Sequence, residues 1–285
     1  MPGNDQLEIR LLLESDIPAA MRLKEAAGWN QTEDDWRRLL MLEPHGCFGA
    51  LSNGSLIGTT TTTTYGDQLA WIGMVLVEPK HRGQGVATQL MTTAMEYLAS
   101  RVANVKLDAT PLGKSLYEKF GFKIESLIER WSRPAQSKLQ ATKSETLDED
   151  QRKELLELDE LAFSGDRSSL IRLLIDDAII SPVLIRHTGN KLSGFALARR
   201  GTRANYVGPI VSAEIDQAES LLDQTLDQLA DGDIYLDFSH ECGASTRMLS
   251  DRGFIKERDL VRMSAGRPGK KTSPLVIAIA GPEVG

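Results

Sequence analysis

Two glycines, Gly83 and Gly85, separate an apolar run from a segment with helical spacing that begins at Val86. Glycine allows tight backbone turns that bring successive N–H groups to one point. A helix starting near Val86 would add its unpaired N–H groups and the positive end of its dipole. Such a loop can hold a phosphate or pyrophosphate mainly through its main chain, with Arg82 as a cation at its edge.

Two well-known phosphate-binding patterns do not fit this loop. The P-loop needs Lys and then Ser or Thr after its last glycine, whereas Val86 follows Gly85. The dinucleotide fingerprint needs a third spaced glycine within a βαβ unit. Glycines near a helix start are common, so an ordinary turn is the alternative on this loop alone.

The segment Arg82-Gly83-Gln84-Gly85-Val86-Ala87 resembles the phosphate-binding signature of the GNAT acetyltransferases, Arg/Gln-x-x-Gly-x-Gly/Ala. It follows an apolar strand that ends at Val77-Glu78-Pro79, as is typical of that family. A second family feature, Leu116–Phe122, comes at the expected distance. Two ordered motifs favour the family over an ordinary turn, and the resemblance covers residues 7–133.

The resemblance implies acetyl-CoA as the acetyl donor. In that family the strand before the loop splays from its neighbour and its backbone hydrogen-bonds the pantetheine arm, a role that falls here to Val75, Leu76 and Val77. The residues expected to hold the pyrophosphate are Arg82, Gly83, Gln84, Gly85, Val86, Ala87 and Thr88.

Acetyl transfer to an amine needs a neutral nucleophile, a polarised thioester carbonyl and a proton for the leaving thiolate. A backbone N–H near Val77 is the candidate for polarising the carbonyl. By the resemblance, Tyr117 is the candidate acid for the CoA sulfur, with a packing aromatic as the alternative. Glu78, His81 and Asp108 are candidate bases, although His81 is better explained as solvent-exposed and a water chain is a further route.

The acceptor pocket in this family is built by the first two helices and late loops. Trp29, Asn30, Gln31 and Trp36 fall on that connection, where ordinary core packing is an equally good interpretation. In the second half, Asp237 is the candidate contact for a cationic amine.

The helices and strands that must position these residues can be predicted from sequence patterns, and together they indicate an α/β fold with a mixed sheet. Asn53-Gly54 between two apolar runs indicates a hairpin, and the β-branched run Thr59–Thr64 favours a strand. Val86–Leu98 has helical spacing. Leu275–Ala280 is a last apolar strand whose placement the sequence leaves open.

A shift of 132 residues places Gly121-Phe122 on Gly253-Phe254 and Arg130 on Arg262, which indicates a diverged internal duplication. We therefore predict two tandem GNAT-like domains. The assigned ranges are a catalytic domain at 1–133, a linker at 134–146 and a degenerate domain at 147–285.

The same shift predicts that the second domain has no CoA site. It places Glu214 opposite Arg82, where a carboxylate would repel pyrophosphate, and Gln217 opposite Gly85, which removes a loop glycine. The second domain is then expected to complete the acceptor pocket or to stabilise the first.

Composition narrows the partners. A net charge of −7 argues against nucleic acid. With only Cys47 and Cys242, no disulfide framework is expected, and a reducing, cytoplasmic setting is the default. No apolar run reaches about 18 residues, so no membrane span is expected. His240 and Cys242 alone are too weak a signal for a metal site.

The predicted function is an N-acetyltransferase that moves an acetyl group from acetyl-CoA to a primary amine of a small molecule. The alternatives are a non-catalytic acyl-CoA sensor and an acetyltransferase acting on a protein or peptide amine. A second domain covering the cleft would favour small acceptors. The sequence leaves open whether the chain forms a homodimer.

Overall fold

A computed structural model of the chain describes residues 7–135, 146–187, 189–229, 231–267 and 274–285. The first half contains β1 (Leu7–Leu11), α1 (Ile17–Ala26), α2 (Glu33–Leu42), β2 (Phe48–Ser52), β3 (Ser55–Tyr65), β4 (Leu69–Val77), α3 (Val86–Leu98), β5 (Asn104–Ala109), α4 (Lys114–Lys119) and β6 (Lys123–Arg133). Most of the predicted linker, residues 136–145, lies outside the described residues.

The second half follows the same order. It contains α5 (Glu149–Phe163), α6 (Ser168–Asp176), β7 (Val183–Arg186), β8 (Leu192–Arg199), β9 (Asn205–Ser212), α7 (Ile215–Gln228), β10 (Ile234–Ser239), α8 (Arg247–Ser250), β11 (Ile255–Gly266) and β12 (Val276–Ala278). The mixed α/β prediction is confirmed. The strand expected at Ile179–Ile185 begins only at Val183, although Ile179 still donates its N–H to Ala198 O of β8 at 3.0 Å.

The described strands form one sheet in the order β1-β2-β3-β4-β5-β11-β6-β10-β12-β9-β8-β7. Most neighbours are antiparallel, but β4 runs parallel to β5 and pairs with it only from Leu69 to Trp71. Beyond Trp71 the two strands separate and leave a gap in the sheet. The parallel pair β9 and β10 separates in the same way after Tyr206.

The two halves exchange strands at the centre of this sheet. Strand β11 of the second half lies between β5 and β6 of the first, and β6 pairs on its other edge with β10 of the second half. The apolar core is also shared, since the ring of Phe163 packs edge-to-face on Tyr65 at 5.1 Å and lies 6.2 Å from Trp71. The chain passes from one half to the other at the predicted boundary, residue 133, but the sheet contains strands of both halves and is continuous.

Two buried ion pairs link the exchanged strands symmetrically. Arg262 on β11 lies directly opposite Asp108 on β5, with Nε–Oδ1 and Nη2–Oδ2 distances of 2.9 Å. Arg130 on β6 lies directly opposite Asp237 on β10, with Nε–Oδ1 at 2.8 Å. Each half thus supplies one arginine and one aspartate to the other half.

Removing one partner of such a pair should destabilise the whole chain. Arg262→Met would leave Asp108 buried without its cation, which we expect to cost about 3–5 kcal/mol of unfolding free energy. The control is Arg37→Met, because Arg37 forms its ion pairs on the exposed face of α2. Urea unfolding followed by circular dichroism measures both. Equal midpoints for the two variants would contradict the structural role of the Arg262 pair.

Candidate active site

The loop between β4 and α3 presents an unbroken series of free donors. The N–H groups of Gly83 through Thr88 donate to no acceptor among the described residues, and residues 82–85 are exposed. Gly83 (φ 74°) and Gly85 (φ 83°) hold the left-handed conformation that this turn requires. Six such N–H groups at the start of α3 form a site suited to a diphosphate.

Arg82 differs from the rest of the predicted loop. Its N–H donates to Pro79 O at 3.3 Å, and its Nε donates to Val77 O at 3.1 Å. The amide of Arg82 is therefore not available to a ligand in this arrangement. Its guanidinium lies along the end of β4 and places a positive charge beside the six free N–H groups.

A bulge in β4 opens the gap beside β5. Thr59 pairs with Leu76 but Thr61 pairs with Gly73, so β4 carries an extra residue, and Met74 adopts φ 50°. Beyond the bulge, Glu78 N–H donates to Ile57 O at 2.8 Å. Because backbone groups alternate between the two edges of a strand, the N–H of Val77 faces the gap.

The gap continues into a cleft of about 480 Å³, open solvent included. Its walls come from β4 at Gly73, Met74 and Val75, from β5 at Asp108, and from Tyr117 on α4. The remaining walls come from residues that lie outside β4, β5 and α4. They are Trp29, Gln31, Arg130, Arg258, Leu260 and Glu283.

Tyr117 is held rigidly in this cleft. The residue is 8% exposed, its ring packs on Phe122 at 6.2 Å, and the absence of a side chain at Gly113 leaves room for the ring. Burial raises the pKa of the Tyr117 phenol above its usual range. The phenol therefore stays protonated at neutral pH, as a proton donor must.

The candidate bases lie in different surroundings. Asp108 lines the cleft, but both its carboxylate oxygens are bonded to Arg262; burial raises the pKa of Asp108, and Arg262 opposes that change. Glu78 does not line the cleft and lies 3.3 Å from Lys80 Nζ and 3.6 Å from His81 Nε2. Asp108 is thus placed to hold Arg262 in position, whereas Glu78 lies outside the cleft beside Lys80 and His81.

The predicted acceptor residues lie in four different settings. Trp29 lines the cleft, whereas Trp36 is 1% exposed and packs in the core. Asn30 is buried and joins the two halves, since its Nδ2 donates to Ala204 O at 2.9 Å. Asp237 is fully buried, bonded to Arg130 and to the Tyr206 hydroxyl.

Sequence reasoning missed the contribution of residues 281–285. Glu283 lines the cleft, accepts a hydrogen bond from Gln31 Nε2 at 2.8 Å and pairs with Arg199 at 3.3 Å. A Cβ at Gly73 would lie 2.6 Å from Glu283 O, so only glycine admits this segment. No local pattern signals this contact, because it joins residues more than 200 positions apart.

The second gap in the sheet is filled by the chain itself. Ala278 on β12 pairs with Phe238 of β10 on one side and with Ile210 of β9 on the other. At the start of α7, Glu214 is the N-cap residue and pairs with His187 Nδ1 at 2.8 Å. Both features support the prediction that the second half has no CoA site.

Comparisons with known proteins agree with this architecture. Sequence models match residues 13–122, described as "Acetyltransferase (GNAT) family", and residues 155–275, described as "Acetyltransferase (GNAT) domain". The chain belongs to the GNAT acetyltransferases. It is an enzyme family that in general uses acyl-CoA donors, and here two such units occur in tandem.

Several relatives share the full length. The chain is 27% identical to the uncharacterized N-acetyltransferase YitH of Bacillus subtilis, covering 88% of each chain. It is 23% identical to the holothin acyltransferase of a Pseudoalteromonas species, covering 91% of this GNAT chain and 88% of that protein. A Pyrococcus horikoshii protein assigned as an acetyltransferase has the same fold, with a TM-score of 0.81 at 20% identity over 100% of this chain and 98% of that one.

Neither a metal-binding cluster nor a membrane-spanning helix occurs among the described residues. They contain no group of three or more His, Cys, Asp or Glu side chains placed to hold a metal ion. None of their helices combines the length and apolar character needed to cross a bilayer.

Substitution of a loop glycine should weaken donor binding in this GNAT chain. Gly85→Ala introduces a side chain at φ 83°, where an L-residue costs roughly 1–2 kcal/mol. We expect the Kd for acetyl-CoA, measured by calorimetry, to rise by about tenfold as the loop shifts. The matched control is Gly54→Ala, which carries the same strain at φ 76° in a hairpin turn. Equal affinities in the two variants would show that the loop does not hold the diphosphate.

Proposed function

We propose that this chain transfers the acetyl group of acetyl-CoA to the primary amine of a small molecule. The observation that carries the proposal is the set of six free N–H groups from Gly83 to Thr88, placed where β4 and β5 separate. A diphosphate supplies the acceptors that unpaired N–H groups at a helix start lack. The adjoining gap is an extended slot with free backbone groups, which suits the pantetheine arm.

Bound acetyl-CoA supplies an activated thioester. Val77, at the end of β4, presents to the gap an N–H that is our candidate for hydrogen-bonding the carbonyl oxygen, on which negative charge grows during attack. Tyr117 keeps its phenolic proton at neutral pH and is assigned as the acid for the departing sulfur. Asp108 is a positioning residue, since Arg262 holds both of its oxygens.

The second half supports a small acceptor over a protein. Arg258 and Leu260 of β11, together with Glu283, add walls to the cleft. These added walls narrow the cleft, which suits a small amine better than a peptide chain. One relative is named for holothin as its acceptor, which is consistent with this assignment.

The acid role of Tyr117 separates an enzyme from an acyl-CoA sensor. Tyr117→Phe keeps the packing on Phe122 but removes the proton donor, so we expect kcat to fall by about 10²-fold with the Kd for acetyl-CoA unchanged. Thiol release from acetyl-CoA with a panel of small amines measures turnover, and calorimetry measures donor binding. Tyr235→Phe is the control, because Tyr235 does not line the cleft.

Two results would count against the proposal. A wild-type chain without affinity for acetyl-CoA would remove the donor site. A chain that binds acetyl-CoA but releases no thiol with any amine would favour the sensor, and full turnover by Tyr117→Phe would remove the acid role alone.

A further inference from the structure

Three charged residues lie side by side across the exchanged strands. Arg258 on β11 is directly opposite Arg130 on β6, which is directly opposite Asp237 on β10. Side chains that lie opposite one another on neighbouring strands point to the same face of the sheet. Asp237 is hydrogen-bonded to Arg130 and to the Tyr206 hydroxyl. The row therefore contains two arginines but only one carboxylate, which already pairs with Arg130.

A β-bulge creates this arrangement. Trp131 pairs with Lys256 and Arg130 pairs with Arg258, so the register skips Glu257. Regular pairing would have placed Glu257 opposite Arg130, a favourable match of charges. The bulge instead places a second arginine there, although like charges directly opposite each other are destabilising. Bulges of this kind commonly turn a side chain toward a functional site.

The internal duplication shows that the framework does not require this arginine. The equivalent row on the other side of the exchange consists of Asp108, Arg262 and Ser126. It has the same aspartate–arginine pair, but the position that corresponds to Arg258 is a serine. The extra cation therefore occurs on only one side of the pseudo-symmetric centre, and its side chain lines the cleft.

Arg258 also differs from the other charged residues that line the cleft. Asp108, Arg130 and Glu283 each have an ion-pair partner within 3.3 Å. Among the described residues Arg258 has none, and its buried Nε atom has no hydrogen-bond partner. Burial lowers the pKa of Arg258, and the positive charge of Arg130 lowers it further. The surroundings of Arg258 therefore disfavour an unpaired cation. A partly desolvated cation without a partner is costly, and an anion on a ligand would relieve that cost.

We propose that Arg258 binds an anionic group on the acceptor, so that the acceptor is a small amine that also carries a carboxylate or a phosphate. The inference rests on the proposed function and names its substrate class. A guanidinium suits both anions, since its planar fork bonds two of their oxygens at once. Trp29 and Leu260 supply the apolar wall for the carbon skeleton between the anion and the amine.

The test compares amines that differ only in the anion. One arm uses L-amino acids, their carboxamides and the corresponding decarboxylated amines; the other uses O-phosphoethanolamine and ethanolamine. We expect kcat/KM to be at least about tenfold higher for the anionic member of one arm. Arg258→Gln should abolish that preference by raising KM, with kcat changed less than about twofold, and Arg258→Lys should keep part of it. Arg247→Gln, at an arginine whose side chain is 82% exposed, is the matched control.

Stability gives a second readout. An arginine kept for structure would destabilise the chain when replaced, whereas Arg258→Gln removes an unpaired cation and should leave the Tm unchanged or raised. A lowered Tm would favour the structural explanation. Calorimetry tests whether the Arg258→Gln chain still binds acetyl-CoA. We expect its Kd to equal that of the wild type, because we assign Arg258 to the acceptor and not to the donor.

A chain that fails to bind acetyl-CoA overturns the proposed function. If the donor binds normally, three results overturn the inference alone: amines with and without the anion react equally, the preference survives in Arg258→Gln, or no anionic amine of either arm reacts.

Discussion

The structure depends on two reciprocal ion pairs at the centre of its sheet, Arg262 with Asp108 and Arg130 with Asp237. In each pair the arginine and the aspartate come from different halves and lie directly opposite each other on neighbouring strands. Charges buried this deeply are tolerated only when each finds its partner. The pairs therefore couple strand register to assembly: a half without the other leaves one buried arginine and one buried aspartate uncompensated.

This coupling explains why the cleft is built by both halves. Exchange of β11 and β6 brings Arg258 and Leu260 next to the β4–β5 gap, where we propose that the donor binds. A tandem of two independent domains joined by a linker would have left that side of the gap open to solvent. The second half thus contributes walls and charge to the site rather than a second set of donors.

Residues 274–285 contribute to the two equivalent gaps in different ways. They fill the gap between β9 and β10 with β12 and then continue to the first half, where Glu283 reaches the cleft. Gly73 beside the β4 bulge and Gly208 at a similar register shift in β9 permit this path. A Cβ at Gly208 would meet Ile279 O at 2.2 Å, and one at Gly73 would meet Glu283 O at 2.6 Å. In the second half the chain fills the gap, and in the first half it adds a wall to the cleft.

The sequence by itself determined the elements with strong local signals: the loop glycines before α3, the hairpin at Asn53-Gly54, and the strand at Thr59–Thr64. It also indicated the duplication, although the uniform shift of 132 residues placed Asp108 opposite His240 and hid its match to Asp237. Only the tertiary structure decided the strand exchange, the wall formed by Glu283 and the cation at Arg258. Pairing between distant strands depends on register and buried charge, and neither is encoded by the spacing of residues along one segment.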